Sequence, residues 1–145
     1  MKNILLTVVA CLSFIFSYSQ DQTDSVFVKT LDNIETLVSN TDNNPKISNM
    51  PLTGTLMWGD FHGNCTYILS SKTMLKLEFF FDDSTAGKKT FYYDNDQLIK
   101  IIDNGVVYYH VKYLRDAAGN PINRATERDL LFFSDQMKKM AAQLL

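Results

Sequence analysis

Between residues 52 and 114 the chain repeats one pattern: a short run of alternating apolar and polar residues, a few polar residues, then another run. Alternation at period two is the signature of a strand with one buried face. Connections this short cannot carry a parallel crossover, which needs a dozen residues or more, so successive runs must pair antiparallel. The runs fall at 52–58, 65–70, 73–81, 89–93, 97–103 and 106–114. In 73–81, Leu75, Leu77, Phe79 and Phe81 take one face, and Lys76 and Glu78 the other. Ser71-Lys72 and Asp94-Asn95-Asp96 supply turns. Asn104-Gly105 is the strongest hairpin signal, because both residues tolerate the positive φ that a type I′ turn demands.

Helical periods flank this meander. Phe27, Leu31, Ile34 and Leu37/Val38 recur every three or four residues, which predicts a helix from Asp24 or Ser25, with Asp24 as N-cap, to about Ser39. Residues 40–52, with Pro45 and Pro51, read as a loop. Thr126 is the expected cap of a last helix, with Asp129 completing a short capping box and Leu130, Phe133, Met137, Met140/Ala141 and Leu144 as its apolar stripe. The expected fold is therefore α+β: an N-terminal helix, an antiparallel meander of about five to six strands and a C-terminal helix. Both helices are expected on one sheet face. The stretch Phe91-Tyr92-Tyr93-Asp94-Asn95-Asp96-Gln97-Leu98-Ile99-Lys100-Ile101 resembles the strand–turn–strand unit of YD-type repeats. It occurs once, whereas those arrays need many copies, so the resemblance implies a hairpin and no function.

The first 19 residues read as a secretory signal peptide. Lys2 is followed by the apolar run 4–16, too short to span a bilayer, and no acidic residue precedes Asp21. Ser17 and Ser19 frame Tyr18 as a small-x-small site, which places cleavage after Ser19, or one residue later. The alternative is lipid attachment: Val8-Val9-Ala10-Cys11 resembles a lipobox, in which Cys11 becomes an acylated N-terminus. No other segment is long and apolar enough to cross a membrane. The expected location is thus periplasmic or secreted, with residues 20–145 as a single domain. Losing Lys2 takes the formal charge from −2 to −3, which leaves no basic footprint for nucleic acid. Cys65 then stands alone, so no internal disulfide can form.

No motif commits the chain to a reaction, and no cofactor is expected. The densest polar cluster is Asp60-x-His62-x-x-Cys65, whose carboxylate, imidazole and thiolate are all transition-metal ligands. The spacing matches no closed zinc pattern; a polar hairpin loop with a surface His is the simpler reading, and a metal-dependent enzyme is the alternative. A Cys65–His62 or Cys65–His110 nucleophile pair lacks any helix N-terminus to acidify the thiol. Asp82-Asp83 and Asp94/Asp96 read as turn formers, and no phosphate loop is present.

The sheet is rich in rings, and several runs carry large apolar residues on both sides. A second face of that kind either marks a contact surface for an unknown protein or a small apolar ligand, or is itself buried because the sheet curls. Its expected residues are Phe80, Tyr92, Tyr108 and His110. The expected role is non-catalytic binding. A third reading is an assembly subunit of an envelope complex, pairing with another chain through an edge strand.

Overall fold

The computed structural model describes residues 27–56, 59–82 and 87–145. The N-cap expected at Asp24, the export signal and Cys11 lie outside them. The chain divides into two compact units, Met1–Asn33 and Ile34–Leu145. Of the first, residues 27–33 are described, and they are helical. The helix α1 continues into the second unit and ends at residue 42, three residues beyond the expected stop. Its last turn is held by Asn43, whose backbone N–H and side-chain amide both donate to the Ser39 carbonyl. Pro45 follows, and the residue before a proline is driven out of the helical region.

Seven strands then form one antiparallel sheet in chain order: β1 Ile47–Leu56, β2 Gly59–Ile68, β3 Thr73–Phe81, β4 Lys88–Asp94, β5 Gln97–Asp103, β6 Val106–His110 and β7 Leu114–Arg115. The α+β class and the meander are as expected. The turns use the expected chemistry: Asn104 and Gly105 both have positive φ, as do Asn95 and Asp96. Asn104 adds a side-chain bond, accepting from the Lys88 N–H at 2.8 Å.

Three boundaries differ from expectation. Residues 47–51 belong to β1 despite Pro51. The Asp82 N–H donates to the Asp60 carbonyl, so the even-numbered residues of β2 bond β3 and the odd-numbered ones bond β1. Pro51 pairs with Asn64, so its missing N–H lies at the free edge and costs the ladder nothing. Residues 59–64 are strand and not connection, since Phe61 and Cys65 both point into the core. The sixth run ends at His110, and a bend precedes the two-residue β7.

The last helix, α2, spans Arg124–Ala142 and is capped by Asn123, not Thr126. The Asn123 Oδ1 accepts from the Ala125 N–H at 2.8 Å. Glu127 turns to the sheet, where its carboxylate accepts the Leu114 N–H at 2.7 Å. Leu130, Phe133, Met137 and Ala141 of α2 pack with Leu52, Phe61, Cys65, Leu77, Phe79, Phe81, Phe91 and Ile101 of the sheet. Phe133 sits at the centre, in ring contact with Phe79, Phe81 and Phe91. We call this side of the sheet the front.

The helices do not share it. Residues 34–42 of α1 bond Lys76, Tyr92, Lys100 and Tyr109, which pair across β3 to β6 and point to the back. The sheet is therefore covered on both sides, which corrects the expected one-sided arrangement. Strands with apolar residues in front and bondable polar residues behind can satisfy a helix on each face.

Candidate functional site

Two bulges decide which side chains share the back face. One lies at Leu75, where Thr66 pairs with Lys76 but Tyr67 pairs with Met74. The other lies at Ile99, where Tyr92 pairs with Lys100 but Tyr93 pairs with Leu98. Each inserts one residue and resets the alternation. The result is a polar row across six strands: Asn49, Thr66, Lys76, Tyr92, Lys100 and Tyr109. Thr66 Oγ1 donates to Asn49 Oδ1 at 2.8 Å.

The rest of the row forms the same cluster twice. Lys100 Nζ donates to both oxygens of Glu35, at 2.7 and 2.8 Å, and the Tyr109 hydroxyl donates to Glu35 Oε1 at 2.5 Å. Lys76 Nζ donates to Asp42 Oδ1 at 3.0 Å, and the Tyr92 hydroxyl donates to Asp42 Oδ2 at 3.2 Å. In each cluster the ammonium also lies over the tyrosine ring, at 5.2 Å for Lys76 and 5.5 Å for Lys100. The two carboxylates are seven residues apart, about 10.5 Å along a helix. The clusters are two strand spacings apart, about 9.6 Å. The match requires α1 to run across the strands.

Electrostatics follow from this closure. Burial alone would raise the Glu35 carboxyl, but the bonds from Lys100 and Tyr109, with the lysine charge, hold it below the usual carboxylate range. Burial and the neighbouring Glu35 push the Tyr109 phenol up to about 12. Burial likewise raises Tyr92, against the pull of the Lys76 charge. Burial would lower Lys76, but its bond to Asp42 and the surrounding negative groups raise it.

Phe80 belongs to a second row on the same face, toward the other end of β2 and β3. His62 stacks on it, with centroids 5.3 Å apart and planes at 6°, and Lys88 Nζ lies 4.8 Å from its ring centre. His62 Nδ1–H donates to Asp82 Oδ1 at 3.1 Å. This row is open: the side chains of His62 and Lys88 are 60% and 51% exposed, and Phe80 is half-buried.

The four expected contact residues are thus divided. Phe80 and Tyr92 are on the back face, and Tyr92 is closed under α1. Tyr108 and His110 are on the front. Tyr108 packs against the core, and His110 Nδ1–H donates to the Leu98 carbonyl at 3.1 Å. A two-residue turn pairs Asp103 with Val106, so odd numbers in β6 continue even numbers in β5. Counting parity straight through the hairpin puts Tyr108 and His110 on the wrong side.

The metal-ligand trio is also divided. Asp60 and His62 point back, and Asp60 accepts from Thr55 Oγ1 at 2.5 Å. Cys65 points forward into the core, where burial pushes its thiol up to about 11. Among the described residues no three His, Cys, Asp or Glu side chains converge. Cys65 and His110 both face forward, but His110 is committed to Leu98 and Cys65 is fully buried.

Glu35, Asp42, Lys76, Lys100 and Tyr109 are the residues that sequence reading missed. Their signals were present: a lysine inside Leu98-Ile99-Lys100-Ile101-Ile102, and two carboxylates seven apart on one helix face. A shallow hollow of about 160 Å³, walled by Leu37, Asn44, Leu75 and Asp94 among others, lies near the end of α1. It is below the usual size of a ligand pocket. The chain matches no protein-family model, no curated protein and no solved structure.

Proposed function

We propose that this chain is an exported binding domain without catalytic chemistry, and that its contact surface is the Phe80 row of the back face. The observation that carries the reading is a large ring on an outward sheet face, half-buried and flanked by two exposed cationic or ionisable side chains. Such a surface suits a partner that presents an apolar group beside a negative charge, whether a small ligand or a protein side chain. The remainder of the expected contact set serves other ends: Tyr92 closes under α1, and Tyr108 and His110 support the core face.

The metal-enzyme alternative loses its ligand set to the division of Asp60 and His62 from Cys65. The edge-strand alternative has proline against it on both sides. Pro51 interrupts the free edge of β1, and Pro121 bridges Arg115 at the other edge.

An anionic naphthalene dye reports the surface directly. The folded protein is expected to bind it, and Phe80→Asp and Lys88→Glu each to weaken binding at least tenfold with the unfolding transition retained. Equal binding by both folded variants would overturn the reading. Export is tested separately by the mass and N-terminal sequence of the protein recovered from its own cells. Gln20 at the start is the expected result; an acylated Cys11 would place the domain on a lipid surface.

A further inference from the structure

Among the described residues, the apolar cluster that organises the sheet draws its helical members from α2, and none of residues 34–42 belongs to it. In the second unit α1 contributes Ile34, Val38 and Thr41 as buried side chains, and Glu35 and Asp42 bond the sheet through their carboxylates. We propose that residues 34–42 form an acid-released strap, latched over the back face by Glu35 and Asp42, that lifts as a unit while α2 stays docked on the front. The proposal does not depend on what the Phe80 row binds.

The two latches are unequal. Asp42 is faced by Lys76 and Tyr92, and Lys76 also has Glu78 at 3.6 Å, which in turn has Lys88 at 3.4 Å. If Asp42 takes a proton, Lys76 keeps a carboxylate. Glu35 is faced by Lys100 and Tyr109, and Asp32 lies one turn earlier on its own helix. Among the described residues Lys100 pairs with no second carboxylate, and its side chain is only 9% exposed. Protonating Glu35 therefore strands a buried ammonium, which is far costlier than losing an exposed pair. Lifting the strap lets Lys100 reach water, and it disturbs none of the front-face packing.

The sign follows from the direction of the shift. A carboxyl held low in the folded protein contributes stability at neutral pH, and that contribution is lost as pH falls through its folded value. The latch thus holds at neutral pH and weakens as pH falls into and below the usual carboxylate range. Opening bares the Lys76–Tyr92–Lys100–Tyr109 row on the same face as Phe80.

Hydrogen exchange on the full chain, expressed as protection factors corrected for intrinsic rates, tests this. Glu35→Gln at pH 7 should lose at least tenfold protection over 34–42 and keep it over 130–141, and the unaltered protein should lose protection over 34–42 as pH is lowered from 7 to 3.5. A Glu35→Leu, Lys100→Leu double variant, which replaces the charge pair with an apolar one, should hold 34–42 at both pH values. Equal loss in both helices, full protection of 34–42 in Glu35→Gln, or global unfolding of that variant would each overturn the proposal, the last by making the latch part of the core.

Discussion

Gly63 lies in β2 between Leu52 of β1 and Phe79 of β3. A Cβ there would sit 2.0 Å from the Glu78 carbonyl oxygen, which is backbone and cannot step aside. Glycine is thus required by a close approach of two strands. Gly63→Ala should cost about 1–3 kcal/mol, the range of overpacked core sites, and urea denaturation should show a lowered midpoint. Gly105 illustrates the other use of glycine: its φ of 86° makes the hairpin, and nothing lies within 4 Å of an added Cβ. Cys65 shows how burial removes chemistry from a residue whose exposure the sequence alone leaves open. With no exposed surface and a thiol raised to about 11, it packs as a small apolar group.

At the scale of elements, the two helices are held by different physics. α2 buries a continuous apolar stripe, and within it the Ser134 hydroxyl bonds that of Tyr93 on β4, 2.9 Å apart. Phe133 touches three rings from β3 and β4. Truncating it to alanine should cost about 3–5 kcal/mol, read as a fall in thermal midpoint, because the rigid strands around it cannot close the cavity. α1 instead matches two carboxylates to two Lys–Tyr units across four strands. Its period was readable from Phe27 to Val38; its partners were not, because two bulges reset the register of β3 and β5.

At the scale of the molecule, the open meander leaves two edges to manage. The short β7 is closed by its bridge to Pro121. The ten-residue β1 carries Pro51 with its ring nitrogen toward the free side. Pro51→Thr restores an unbroken row of edge donors, leaves the β1–β2 ladder intact, and should promote self-association. Sedimentation over a range of concentrations checks it: the variant is expected to associate where the original does not, and identical behaviour would show that Pro51 does not guard the edge.

The class and order of elements were legible in the sequence, because period, turn chemistry and connection length are local properties. Asn104-Gly105 set one hairpin, the alternation in 73–81 set β3, and the stripe from Leu130 to Ala141 set α2. Sequence alone misread Pro51 as a breaker, since only pairing reveals that a proline sits at an edge. It also misplaced Tyr108 and His110, since facing depends on how each turn and bulge counts residues. Tertiary structure alone decided that the helices lie on opposite faces, that Lys100 is buried against Glu35, and that Cys65 is parted from Asp60 and His62. Each of these depends on atoms distant in sequence meeting across a sheet, where a shift of one residue exchanges core for surface.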